Sequence, residues 1–302
     1  MSDCTPGRRA IVAVQMTMLC IVAACDRTET GPGSDEQVAA VENVEAMARE
    51  HADDNAKPSE AALAEPQQAV TAERLAYAEV GDELVYGHFA FPSDMIEPLP
   101  AVIMIHEWWG LNDNIRSMAE QLAGEGYIVL AVDLFSDQVA TTPEAARQLM
   151  MRAVENRDSL ISNMEQAYAF VTQTAGAPRV ASLGWCFGGG WSLNTALLFP
   201  EDLDAAVIYY GQVTDDESRL SPLQVPLLGL FGADDRGIRL ESVQAFEAAL
   251  ERLGKDYEIH VYEGAGHAFA NPSGTNFNAE YAEDAWKRTL AFLSDHLGKD
   301  PT

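Results

Sequence analysis

Basic residues are scarce in this 302-residue chain, with 19 Lys and Arg set against 47 Asp and Glu for a formal net charge of −28 at pH 7. Binding to nucleic acid needs clustered positive charge facing the phosphates, so this balance excludes a nucleic-acid partner and reads as a solubility feature. Cysteine is nearly absent as well. Cys4, Cys20 and Cys25 fall at the N-terminus, which leaves Cys186 alone in the remainder, so no disulfide framework staples the fold. Also missing is a hydrophobic run of the ~20 residues that a membrane-crossing helix requires. What is present is a 47% share of hydrophobic residues, enough for one sizeable core.

The apolar stretch over 10–24 follows Arg8 and Arg9 and ends in Val22-Ala23-Ala24-Cys25. That is the layout of a secretory leader. Its end resembles the bacterial lipobox, which implies cleavage after residue 24 and lipidation of Cys25. The expectation is an exported protein, lipid-anchored in the cell envelope and facing the periplasm, that meets the membrane through its acyl chains only. Asp26 resembles the enterobacterial signal for retention at the inner membrane. Residues 25–72 hold no Phe, Trp or Tyr and are rich in Glu, Asp, Ala, Gln, Thr and Pro, so an acidic, mostly disordered tether is expected. Within it Val38, Val41, Val44 and Met47 recur at the spacing of a short amphipathic helix.

Residues 73–298 read as one folded domain. Leu75 and Tyr77, then Leu84, Tyr86 and His88 around Gly81-Asp82, alternate as an antiparallel pair of strands does. Strand and helix patterns then take turns: strands over 101–106, 128–133, 180–184, 205–210, 227–231 and 257–262, with helices over 115–124, 144–174, 188–199, 241–253 and 279–296. Alternating units of this kind predict an α/β fold, a mostly parallel central sheet with helices on both faces. Ligands of such sheets bind at the carboxyl ends of the strands.

Four motifs fall at those ends. Gly184-Trp185-Cys186-Phe187-Gly188 joins an apolar strand to a helix, with glycines two positions either side of the cysteine. This is the pattern of a nucleophile elbow, with Cys where Ser is usual, and the helix N-terminus behind it stabilises a thiolate or an oxyanion. Gly232-Ala233-Asp234-Asp235 and Gly264-Ala265-Gly266-His267 follow two later strands, in the order nucleophile, acid, histidine that an α/β-hydrolase fold requires. Asp235 is the favoured acid, because a short turn brings it round towards the histidine, and Asp234 is left as a turn or capping residue. His106-Glu107-Trp108-Trp109-Gly110 lies after a fourth strand. It is not a zinc motif, since a second histidine would have to stand at Gly110. Its place is that of the loop supplying the second oxyanion donor, the backbone N–H of Trp108 beside that of Phe187. Trp108 and Trp109 are either pocket walls or core.

Taken together, HEWWG, GWCFGGG, GADD and GAGHAF resemble the dienelactone hydrolase family over residues 72–297. The resemblance implies a carboxylic ester or lactone hydrolase with Cys186, Asp235 and His267 as its triad, and with Glu107 beside the nucleophile to help form its thiolate. It implies no metal and no organic cofactor. One departure stands out: the arginine that the family's dienelactone enzymes place four residues after the histidine is Asn271 here, so a bidentate partner for a substrate carboxylate is lost. Arg147 or Arg152, on the helical stretch expected to overhang the site, are the candidates to compensate. The competing functions are a general carboxylesterase, a membrane-tethered binding protein on an inactive hydrolase fold, and a thiol sensor built on Cys186.

Overall fold

The computed structural model describes residues 34–54 and 57–298. The expected leader and the lipidation site Cys25 lie outside the described residues. The alternation near residue 80 becomes an antiparallel pair, β1 (Val70–Val80) and β2 (Glu83–Pro92). Next come β3 (Ala101–Ile105), β4 (Ile128–Val132), β5 (Val180–Trp185), β6 (Ala205–Tyr209) and β7 (Leu227–Gly232), buried at every position, as strands covered on both faces must be. With the half-buried edge strand β8 (Tyr257–Tyr262) they form one sheet in the order β1-β2-β4-β3-β5-β6-β7-β8. β2 joins β4 antiparallel, and every later pair is parallel.

Helices α2 (Asp113–Gly124), α3 (Pro143–Glu155), α4 (Arg157–Ala169), α5 (Phe187–Leu198), α6 (Glu217–Leu220) and α7 (Leu240–Arg252) fill the crossovers, and α8 (Ala279–Leu297) follows β8. Their starts obey local chemistry: the side chains of Asn112, Thr142 and Asn278 each accept a backbone N–H of the first turn, and Pro143 opens α3. The single helix expected over 144–174 is in fact two. Asn156 (φ −115°, ψ 39°) breaks it, its amide donating to the Arg152 carbonyl at 2.7 Å. A side chain that bonds its own backbone in this way competes with the helical ladder.

The larger correction concerns the expected tether. Residues 34–54 are ordered on the domain, beginning with helix α1 (Ser34–Glu50). Its Val44 and Met47 are 1% and 2% exposed, α1 packs along α3, and Glu45 pairs with Arg147. The segment has too few apolar residues to make a core, but its stripe completes a core that the domain provides. The chain then straps across the loop after β8: Asp54 accepts the N–H and hydroxyl of Thr275 at 2.8 and 2.7 Å, and Ser59 bonds Ser273 and the Pro272 carbonyl, both at 2.9 Å. Ala62 is buried beyond it. Among the described residues the folded unit thus reaches back to Ser34, well before residue 73.

Stripping the buried Met47 side chain weakens this docking. Met47→Ala is expected to cost about 2–4 kcal/mol of packing and to speed tryptic cleavage after Arg49 at least tenfold. Cleavage at an unchanged rate would contradict the docking of α1.

Candidate active site

The carboxyl ends of β3, β5, β7 and β8 bring the motif residues together. Between β5 and α5, Cys186 takes φ 54° and ψ −116°, a region that costs a residue with a Cβ about 1–3 kcal/mol. Two glycines let the surroundings enforce it. A Cβ on Gly184 would overlap the Gly188 carbonyl, and one on Gly188 would overlap the carbonyls of Ile105 and His106. The turn is tied to the next strand by the Cys186 N–H, which donates to the Tyr209 carbonyl at 3.0 Å.

Of the two acids after β7, Asp235 is the one that reaches the histidine. It accepts from His267 Nδ1 at 2.7 Å and, through its other oxygen, from the N–H groups of Gly237 and Ile238, each at 2.8 Å. Asp234 is exposed and only closes the turn, its N–H on the Ala265 carbonyl. His267 is fully buried; with Nδ1 on Asp235, Nε2 is left for the Cys186 sulphur, and a histidine nitrogen lies within 4.8 Å of it.

The loop after β3 is pinned by His106, whose Nδ1–H donates to the Glu107 carbonyl at 2.6 Å while Nε2 accepts the Leu134 N–H at 3.1 Å. Glu107 is buried, with one oxygen accepting from Asn271 Nδ2 at 2.7 Å and the other unpartnered. Asn271 therefore holds the glutamate, a role the sequence did not suggest. Trp108 and Trp109 are both buried and wall the site through a third group that the sequence reading missed: His51, at the end of α1. Its ring stacks on Trp108 at 4.5 Å and meets Trp109 and His267 edge-on, and its Nε2 lies 3.7 Å from Cys186 Sγ. Met47 Sδ is 3.8 Å from the same sulphur. Tyr210, at φ 35° with an unpartnered buried hydroxyl, leans on the His267 ring. Phe187 is half-buried at the start of α5 and stacks on His106.

Arg147 and Arg152 do not belong to this cluster. Arg147 faces α1 and is taken by Glu45, while Arg152 bonds Gln138 and lines a separate cavity of about 360 Å³ that touches neither Cys186 nor His267. Neither replaces the family's carboxylate clamp.

Charge within the cluster is shared. Burial pushes the Cys186 thiol up, but His267 and His51 outweigh it and bring the pKa down to about 6. Burial pushes Glu107 up to about 8, aided by the nearby thiolate. Burial opposes a charge on His267, yet Asp235 and Cys186 hold its pKa well above the ordinary value. His51 likewise rises to about 9 against its burial, through Asp54 and Cys186. Near neutrality the site therefore holds a thiolate among imidazolium rings and a protonated glutamate, the distribution that opposed environments impose on neighbouring groups.

A strained elbow at the mouth of a mostly parallel sheet, followed by an acid and a histidine, defines an α/β-hydrolase. The chain belongs to the dienelactone hydrolase family, whose model matches residues 85–297. It is a hydrolase. Among its relatives, a protein of Saccharolobus solfataricus named "Putative carboxymethylenebutenolidase" is 30% identical over 241 residues, covering 68% of this chain and 92% of the relative. One of the same name from Escherichia coli K12 is 31% identical over 249 residues, 78% of this chain and 90% of its own length. The crystal structure of a "Putative Dienelactone Hydrolase" from Klebsiella pneumoniae superposes with a TM-score of 0.68 at 28% identity, over 75% of this chain and 99% of that one. A dienelactone hydrolase-like promiscuous phosphotriesterase from metagenomic libraries shares the fold, with a TM-score of 0.69 at 24% identity over 76% of this chain and 100% of its own.

The thiol shift gives a direct test. A lowered pKa means that the thiolate is present above about 6 and is lost as pH falls through that value. The thiolate absorbance that distinguishes the protein from Cys186→Ser should titrate with a midpoint near 6, and removing the cation with His267→Gln should move it upward by a unit or more. A midpoint near the ordinary value of 9 would refute the charge distribution.

Proposed function

We propose that the protein hydrolyses carboxylic esters or lactones through a covalent thioester on Cys186. The observation that carries this reading is the Cys186 elbow backed by the 2.7 Å bond from His267 to Asp235. The thiolate attacks the substrate carbonyl carbon, and the oxyanion is received by the backbone N–H groups of Trp108 and Phe187. The tetrahedral adduct expels the alkoxide, which takes its proton from His267, leaving an acyl thioester. Water, deprotonated by His267, then attacks the thioester and releases the acid and the thiolate. Asp235 keeps the imidazole in the right tautomer throughout. Glu107, neutral near pH 7, adds no negative charge where the oxyanion forms.

Recognition differs from the dienelactone type. With Arg147 and Arg152 engaged elsewhere and Asn271 committed to Glu107, the favoured substrate is an uncharged ester or lactone. Cys186 is 2% exposed beneath Met47 and His51, so substrate reaches it when the strap lifts. We further propose that the protein is exported and lipid-anchored through Cys25. From Cys25 to Ser34 the chain extends at most about 32 Å, which keeps the domain close to the membrane surface. Mass spectrometry of the mature N-terminal peptide should find acyl chains on Cys25; an unmodified Cys25 in the envelope fraction would refute the anchor.

Three kinetic outcomes follow. Turnover of p-nitrophenyl acetate and a neutral lactone should fall to background in Cys186→Ala and by roughly 10⁴-fold in Asp235→Asn, while Asp234→Asn and Arg152→Ala stay within about twofold of wild type. A carboxylate-bearing dienelactone should be a poorer substrate than the neutral lactone. The value of kcat/KM should decline above about pH 8 as Glu107 ionises, and Glu107→Gln should remove that alkaline limb. Full activity in Cys186→Ala would refute the mechanism.

A further inference from the structure

Hydrolysis needs one histidine–carboxylate pair, yet Cys186 has two. The second, His51 with Asp54 at 2.7 Å, comes from the N-terminal strap. The hydrolytic mechanism gives no part to that pair, nor to the Met47 thioether beside it. Their arrangement has the form of a metal site. Cys186 Sγ and one nitrogen each of His51 and His267 lie within 4.8 Å of one another, and the edge from Sγ to His51 Nε2 is 3.7 Å. A triangle of that size has its centre about 2–3 Å from each corner, the length of a transition-metal bond to nitrogen or sulphur. Both imidazoles turn Nε2 towards the sulphur because both have Nδ1 on a carboxylate, Asp54 and Asp235, each at 2.7 Å. This outer shell is the one that orients metal-binding histidines. The carboxylates are themselves held, Asp54 by Thr275 and Asp235 by two backbone N–H groups. His267 Nε2 itself is fully buried and has no hydrogen-bond partner. Trp108 and Trp109, both buried, pack against the His51 ring on this side.

Two imidazoles, a thiolate and a more distant thioether make a soft donor set of the kind that suits copper, the methionine sulphur weighing against zinc. We propose that His51, Cys186 and His267, with Met47 as a weak fourth ligand, form a copper site that is complete only when α1 and the strap are docked. Copper(I) binds there without any redox step; protons on the ligating sulphur and nitrogens leave to solvent. A sulphur whose electron pair is in a bond to copper does not attack a carbonyl, so the loaded, closed protein is silent as a hydrolase.

The test reads metal, not turnover, so it stands apart from the hydrolytic reading. The full-length reduced protein is titrated anaerobically with Cu(I) against the chromogenic chelator bicinchoninate. Wild type should withdraw one copper per chain. Asp54→Asn should weaken that site by about 10–100-fold, His51→Ala at least as much, and Met47→Leu, which keeps the packing of α1, by less. Melting curves and the tryptic protection of Arg49 separate loss of a ligand from loss of the docked strap. With Cu(II), wild type should show an intense visible thiolate-to-copper absorption that Cys186→Ser lacks. Copper held equally by wild type and His51→Ala, zinc preferred to Cu(I), or Cu(II) bound with no such absorption would each overturn the assignment.

Discussion

Everything at the functional end of this sheet is arranged around one sulphur held in a conformation its own backbone disfavours. Cys186 stays at φ 54° because the Gly184 and Gly188 contacts leave the strand and the helix no other way to meet. That turn sets the sulphur at the head of α5 and within reach of groups from four other parts of the chain. The cost of the strain is small beside the burial of five wholly covered strands, and it is met by the rigidity they provide.

Burying the sulphur among other titratable groups decides the protonation of its neighbours. A lone buried thiol would hold its proton. Here two imidazoles, each kept cationic by a carboxylate, draw the proton off, and the same burial keeps Glu107 neutral beside them. Net charge within the pocket remains small although several ionisable groups share it, which is the arrangement a low-dielectric site tolerates. The Asn271–Glu107 bond belongs to this economy, since it gives the neutral or charged acid a donor without adding a cation.

The clustering of the candidate site residues was legible because topology fixes it. Parallel strands put Cys186, Asp235, His267 and Glu107 just past strand ends, and the alternation of strand and helix marked those ends without knowledge of contacts. Asp235 was separable from Asp234 by turn length alone. The break at Asn156 was missed because two adjoining helical patterns look like one when the competition between side chain and backbone is local. His51, Met47 and Asp54 escaped for a different reason. They lie in a segment whose composition is that of a solvated tether, and His51 meets Cys186 across 135 positions of sequence. Its order comes from a surface formed by α3 and the loop after β8, and nothing within residues 34–54 announces that surface beyond the weak periodicity of Val41, Val44 and Met47. Tyr210 carried a signal only in its backbone, a positive φ that sequence does not display.

Rapid quenching of the protein with a chromogenic ester, followed by intact-mass measurement and peptide mapping, shows whether the Cys186 sulphur is the atom that bonds to substrate. One acyl group per chain is expected, attached to Cys186 as a thioester that hydroxylamine removes and that accumulates further when His267 is replaced by Gln. An acyl group found on another residue, or turnover with no acylated species at any quench time, would contradict it.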